Sequence, residues 1–347
     1  MAQNIPIQMK ELVNLTQIGF DPSQIKPGTL SFESDKYICS KEVLNGETNV
    51  VVCELQKNFA TNKKKMNKAE AVMMHRSQNI MTIRAKNDSG STIIQVYNLD
   101  SKQKLKDITV NYDIVYWRWL NDTVIGLVSP KSVFVMSIND VNSPPKKVFD
   151  RQGPLAQPNV LIMSFIGDST NQWFAISGIS SIKDASGMPQ VVGYIQIFNV
   201  TKNLSQQSEG FCPCFENVKV VDQTPSSLIG FIDKKANSPG YKLMITDISP
   251  NPRFKKAADI QFQGGNDFPV LMHFLDNYGL ALIATNSGSL YIYELSQEML
   301  VFSCKISADS LLFAAKNSST GGMIYINKSG KVIGIDVDRQ KLVPHIM

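Results

Sequence analysis

Histidine is scarce in this 347-residue chain: His75, His273 and His345 are far apart, and none stands at a metal-ligand spacing from another. No glycine-rich phosphate loop and no nucleophile-elbow pattern occurs, which removes the commonest nucleotide and hydrolase signatures. No apolar run approaches membrane-spanning length. The start, MAQNIPIQMKEL, lacks a basic segment followed by an apolar one, so it does not read as a signal peptide. The five cysteines, Cys39, Cys53, Cys212, Cys214 and Cys304, are odd in number and scattered, which suits a reduced, cytosolic protein. Cys212-Pro213-Cys214 reads as a loop with two free thiols rather than a metal or redox pair. The few Asn-x-Ser/Thr triplets read as unmodified. Long amphipathic helical patterns are missing too. The excess of positive charge, 35 lysines and arginines over 30 acids, suits acidic peptides and is too small to imply nucleic acid.

What the chain does have is period-two alternation broken by turn residues. Ile94-Gln95-Val96-Tyr97 and Tyr291-Ile292-Tyr293-Glu294-Leu295 read as strands. Asn45-Gly46, Asp88-Ser89-Gly90, Asn286-Ser287-Gly288 and Asn327-Lys328-Ser329-Gly330 supply the positive φ of hairpins. An apolar strand, a tight turn and a strand with an aliphatic tail recur at intervals of roughly 40–60 residues, the spacing of propeller blades. The tails end near Leu55, Leu99, Ile138, Val200, Ile248, Leu295 and Val337. The fold class is therefore all-β, a seven-bladed β-propeller over residues 1–340, with 341–347 starting a linker. The blades fall near 29–55, 68–99, 115–139, 160–200, 215–248, 268–295 and 311–337, and Ile182–Gln190 is an insertion expected to form a flexible surface loop. The extended Ile5-Pro6-Ile7-Gln8-Met9 is expected to close the last blade as its outer strand.

Alternation places Trp117 and Trp119 on one strand face, packing between sheets. Trp173 suits either a core or an inter-blade groove. Lys63-Lys64-Lys65 reads as a basic rim on a blade connection. Gln95 and Tyr97 share a face, Lys102 and Lys104 follow just beyond the strand end, and Lys64 lies in the preceding connection. Between neighbouring blades they make an apolar slot with an amide and a basic mouth, suited to an extended peptide with acidic flanks.

Blocks in order along the chain resemble the clathrin heavy chain N-terminal domain family: Met1-Ala2-Gln3 with Ile5-Pro6-Ile7, Glu33–Cys39, Tyr116-Trp117-Arg118-Trp119, Val148-Phe149-Asp150-Arg151, Gly178-Ile179-Ser180, Lys255-Lys256-Ala257 and Asn266–Val270. The resemblance implies a seven-bladed propeller at the tip of a coat-protein leg, binding short linear motifs of adaptor proteins during coated-vesicle formation. It implies a clathrin-box groove between blades one and two, walled by Lys64, Met81, Ile93, Gln95 and Tyr97 with Lys102 and Lys104 at the mouth. Ile93 stands where the family has threonine. A second, arrestin-type groove between blades four and five would use Trp173, Ile197, Lys202, Leu204, Gln206 and Lys255. There Lys202 replaces arginine, which loses bidentate carboxylate binding, and Ser208 replaces an aliphatic residue, so this groove is expected to be the weaker. A top site would use Asn159, Leu161 and Ile179, but Pro27 replaces a stacking phenylalanine. Glu11 matches one residue of a fourth site.

The resulting expectation is a non-enzymatic, cytoplasmic coat component without cofactor or metal, peripheral on coated pits and vesicles. Its partners would be adaptors carrying acidic-hydrophobic motifs and, in the full-length protein, a light chain and a heavy-chain trimer, with neither nucleic acid nor direct membrane insertion. The chain stops just after the seventh tail, so the trimerising leg is expected to be absent. Two other classes stay open: a generic propeller scaffold, which would carry recurring Trp-Asp tails, and a propeller enzyme, which would carry a ring of carboxylates or histidines on its inner strands.

Overall fold

In a computed structural model, residues 5–342 are described except 67, 184–186, 221–223, 235–239, 264–266, 277 and 339. Expectations for Met1–Gln3, Asn266, His345 and the linker end at 343–347 lie outside the described residues.

The described strands form antiparallel meanders. A first sheet holds β2 (Leu30–Ser31), β3 (Tyr37–Leu44), β4 (Glu47–Glu54) and β5 (Ala60–Lys65). The second holds β6 (Ala69–Met74), β7 (Ile80–Lys86), β8 (Thr92–Asn98) and β9 (Gln103–Val110), and the third holds β10 (Tyr116–Trp119), β11 (Val124–Val128), β12 (Ser132–Ser137) and β13 (Lys146–Asp150). A seven-stranded sheet follows: β14 (Leu161–Gly167), β15 (Trp173–Lys183), β16 (Pro189–Asn199), β17 (Leu204–Val218), β18 (Ser226–Asp233), β19 (Tyr241–Asp247) and β20 (Lys255–Ile260). Then come β21 (Pro269–Leu275), β22 (Leu280–Thr285), β23 (Ser289–Glu294) and β24 (Met299–Lys305). The last sheet runs β1 (Ile7–Asn14), β27 (Lys331–Val337), β26 (Met323–Asn327) and β25 (Leu311–Lys316), so strands from the two ends of the chain share it.

The ladders thus give five four-stranded sheets and one of seven strands, not seven separate blades. The reason is β17, whose Leu204–Glu209 half pairs with β16 and whose Gly210–Val218 half pairs with β18. Gly210 lets the backbones meet there: a Cβ would stand 2.5 Å from the Ile232 carbonyl oxygen. Cys212-Pro213-Cys214 lies on this strand and not in a loop. It forms a bulge, because Pro213 has no N–H for the ladder, and Cys212 takes a φ of 53°. Within Ile182–Gln190 the β15–β16 ladder runs through Ile182↔Gln190 and Lys183↔Pro189, which leaves 184–188 between the strands, of which 184–186 lie outside the described residues.

The aliphatic tails have a common role. The N–H groups of Leu55, Leu99, Ile138, Val200, Ile248 and Leu295 each donate, at 2.8–3.0 Å, to a carbonyl at or just before the start of the strand that pairs with the one ending at the tail. Three residues beyond the tail, Asn58, Lys102, Asn203 and Glu298 take φ values of 48–60°. Asparagine tolerates that conformation; lysine and glutamate adopt it at some cost.

The chain divides into two compact units, one of Met9–Asp150 with Leu312–Ile335, the other of Arg151–Leu311 with Met1–Gln8 and Asp336–Met347. In the first, the face between the second and third sheets is filled by Trp119, Met73, Ile94, Val96, Ile125 and Met136, with Trp117 packed against them. Leu15–Leu55 side chains also pack on Ala315, Ile324, Ile326 and Val332. In the second, Leu243, Ile245 and Ile260 meet Phe274, Ile283 and Tyr291.

Candidate peptide-binding grooves

The first groove is built by strand alternation. On β8, Thr92, Ile94 and Val96 are buried, while Ile93, Gln95 and Tyr97 share the other, half-buried face. Across the β7 ladder Ile93 pairs with Ala85, Gln95 with Ile83 and Tyr97 with Met81. Met81 and Ile83 are buried in a cluster with Tyr37, Cys39 and Val50 of the first sheet, and Tyr97 packs on it, so the slot has an apolar floor. Lys64 lies on the strand β5, opposite Val50, rather than in a connection. All six residues of β5 are exposed, as lysine-rich edge strands are. Met81, Ile83 and Tyr97 thus meet Val50, the β4 partner of Lys64, while Ile93 and Gln95 share the face of Tyr97; Lys102, in the β8–β9 turn, and Lys104, on β9, are exposed.

One residue escaped the sequence reading. Asp107 lies opposite Gln95 on β9. The Tyr97 hydroxyl donates to Gln95 Oε1 at 3.1 Å, Gln95 Nε2 donates to Asp107 Oδ2 at 3.1 Å, and Lys104 Nζ donates to the same oxygen. This chain fixes the amide orientation but engages Lys104, whose ammonium is held above its ordinary range by the hydrogen bond to Asp107. The signal was its place three residues after Lys104, where it answers a charge otherwise read as free. Asp107→Asn is expected to tighten binding of an acidic peptide about threefold to tenfold at low salt, since it removes a like charge and releases Lys104. Fluorescence anisotropy checks this; a weakened complex would mean that the carboxylate's orienting role dominates.

The second groove repeats the geometry with less charge. Trp173 and Asn199 face each other across β15–β16, Ile197 pairs with Gln206 and Asn199 with Leu204. Ile197 lies on a floor with Ala175, Ile195 and Ile229, against which Trp173 packs. Lys202 is exposed, its N–H donating to Asn199 Oδ1 at 2.8 Å. Lys255 is exposed on β20 opposite Thr246, and among the described residues it makes no hydrogen bond or ion pair with the other five. Register explains the difference: the position held by Lys64 opposite Val50 is held here by Ser208 opposite Ile195. Ser208 donates to Asp233 Oδ1 at 3.1 Å, which puts a carboxylate where the first groove has a cation.

Of the top-site residues, Leu161 and Ile179 are cross-strand partners, Leu161 exposed and Ile179 half-buried, and Asn159 is exposed in the preceding segment. Pro27 makes an isolated bridge with Leu30. Glu11 is paired with Lys331 at 3.0 Å. Among the described residues no group of three or more histidine, cysteine or acidic side chains could hold a metal. No described helix is long and apolar enough to cross a membrane.

Comparison with known proteins gives first the class. A Myceliophthora thermophila Cps50 (Swd1) β-propeller domain aligns over 90% of this chain and 98% of its own, with a TM-score of 0.54 at 9% identity. A chain of a mitotic checkpoint complex aligns over 97% and 96%, with a TM-score of 0.58 at 8% identity. The fold is an all-β propeller. No family model matches the chain. The particular relationship comes from sequence. The Drosophila melanogaster clathrin heavy chain is 30% identical over 355 residues, covering 100% of this chain and 20% of that protein. Clathrin heavy chain 2 of Oryza sativa is 31% identical over 357 residues, covering 99% and 20%. This chain is similar along its whole length to the clathrin heavy chains it matches and spans about one fifth of their length.

Proposed function

We propose that this chain is a non-enzymatic, peptide-binding propeller of a vesicle coat, whose inter-blade grooves take acidic-hydrophobic linear motifs of trafficking adaptors. The observation that carries the reading is the half-buried Ile93–Gln95–Tyr97 face above the Met81 and Ile83 floor, flanked by Lys64 and Lys102. An extended ligand would place alternate apolar side chains on the floor and its backbone against the Gln95 amide. Buried area supplies most of the affinity at about 25 cal/mol per Å²; the exposed lysines steer and orient at about 0–1 kcal/mol each. Each contact is expected to be micromolar or weaker, since ordering a peptide is costly, and useful avidity would come from many copies in one lattice.

In this reading the seven-stranded sheet serves as two blades joined through β17, which gives seven, and β1 closes the last. The whole of 1–340 is one adaptor-binding domain and 341–347 leads to the leg. The full-length protein would assemble as a heavy-chain trimer with light chain, on the cytoplasmic side of coated pits and vesicles. The second groove is a weaker site of the same kind and the top site the least supported.

Titration of a fluorescent, leucine-rich acidic clathrin-box peptide tests the main site. Gln95→Ala/Lys102→Glu is expected to weaken binding at least tenfold, and parent binding is expected to fall as salt rises. Equal affinity of parent and double variant would sink the site assignment; salt-independent binding would remove the lysines from it.

A further inference from the structure

One register position differs between sheets in a way the grooves make meaningful. On β5, β9, β17 and β20, one residue pairs with the residue three positions before the preceding tail. In the first sheet this is Asn62, opposite Val52, and in the second Lys106, opposite Val96. On β17 it is Gln206, opposite Ile197, and on β20 it is Lys256, opposite Ile245. On β13 the same position is held by Lys146, opposite Val135; it is exposed and makes no cross-junction bond among the described residues. The amides border the two junctions read above as peptide grooves, and Lys106 and Lys256 border two junctions that are not.

Both lysines cross to the turn after the next tail. Lys106 is 1% exposed, and its Nζ donates to the Asp140 carbonyl, to the Ser143 carbonyl at 2.9 Å and to the Val141 carbonyl at 3.5 Å. Lys256 Nζ donates to the Ser296 carbonyl and pairs with Glu298 Oε1 at 3.3 Å. Asn62 and Gln206 are exposed and make no such bond among the described residues. Beneath each latched junction the floor is as apolar as in the open ones: Ile94, Val96 and Met136 under Lys106, Ile245, Ile283 and Tyr293 under Lys256. Burial holds the Lys106 ammonium below its ordinary range, in keeping with a cation drawn under the turn and satisfied by carbonyls.

We propose that Lys106 and Lys256 are latches that close these two junctions to peptides. Lys106 and Lys256 each reach the following turn and are held there by its carbonyls, whereas a short amide, as at Asn62 and Gln206, leaves the groove free and can itself meet a peptide backbone. The inference rests on the reading of the open grooves as peptide sites.

The test replaces each lysine with an amide. Lys106→Asn and Lys256→Gln are expected to give new NMR shifts, induced by the clathrin-box peptide, around Phe134 and Tyr293 respectively; shifts confined to the parent's set would overturn the proposal. Lys256, at the more exposed site, covers the case in which Lys106→Asn fails to fold. Failure of the parent to bind any peptide would sink the function proposed above and leave the latch to a separate reading. Amide exchange of residues 140–143 in Lys106→Asn and 296–298 in Lys256→Gln is expected to speed up at least tenfold, and unchanged exchange in both would overturn the latch by itself.

Discussion

Trp119→Ala is expected to cost about 3–5 kcal/mol in the unit that contains residues 9–150, the range for removing a buried aromatic ring. The indole is 1% exposed and lies where the second and third sheets meet, among Met73, Ile80, Ile94, Ile125, Leu127 and Met136. Its loss would leave a cavity that rigid strands on both sides cannot collapse. It would also release His75, whose ring stands edge-on to the indole at 4.5 Å and 71°. His75 is completely buried; its Nδ1 accepts the N–H groups of Ser77 and Gln78 at 3.0 Å each, and its Nε2 donates to the Asp122 carbonyl at 2.7 Å. The ring therefore ties the β6–β7 turn to the next sheet. The indole Nε1 itself is buried and has no partner among the described residues. Trp119→Phe removes that orphan while keeping most of the volume, and is expected to cost under about 1.5 kcal/mol. Urea unfolding followed by circular dichroism checks both. A loss below about 1 kcal/mol for Trp119→Ala, or equal losses for the two variants, would contradict the packing account.

Much of this architecture was legible because it is written in local chemistry. A tail such as Leu99 or Ile248 follows an alternating strand and precedes a turn, and its N–H closes the sheet at a fixed place. Asn45, Gly46, Gly90 and Gly288 adopt the positive φ that their residue types suggest. The Gln95–Tyr97 face was legible for the same reason, since alternation alone puts both side chains on one side of β8. Long-range matters were not. The fusion through β17 hangs on Gly210 meeting the Ile232 carbonyl across the ladder. No residue near Lys106 marks it as buried, because the carbonyls that satisfy it come from Asp140, Val141 and Ser143 on the next sheet. Lys64 was expected in a connection, since a run of three lysines looks like one; its place on β5 follows from pairing with β4. Asp107 went unnoticed because its importance lies in its partners, Gln95 and Lys104.

Raising the pH from about 10 to about 12 is expected to unfold the protein cooperatively. Burial holds the Tyr37, Tyr112 and Tyr293 hydroxyls at about 12, against an ordinary 10, and the Cys53 thiol at about 12, against an ordinary 9. In the unfolded chain these groups lose their protons first, so the folded state binds more protons through this interval. Their contribution to stability is complete below the unfolded values and is lost as pH rises towards the folded ones, each proton adding about 1.4 kcal/mol per pH unit to the slope. Four such groups act in the same direction near pH 11, so stability falls steadily through this interval. Lys106 works in the opposite sense, because burial lowers its folded value and the unfolded chain binds the extra proton; the gain ends once the unfolded lysine has titrated. Only lysine's own ordinary value, about 10.5, bounds that window, so the tyrosines prevail above it. Absorbance at about 295 nm should show these tyrosines ionising together with the loss of the β-sheet circular dichroism signal. Tyr37→Phe and Tyr293→Phe are each expected to move the alkaline midpoint upward, since each removes one group whose ionisation favours unfolding. Tyrosines titrating freely near pH 10 in a protein that keeps its circular dichroism would contradict their burial at these sheet junctions.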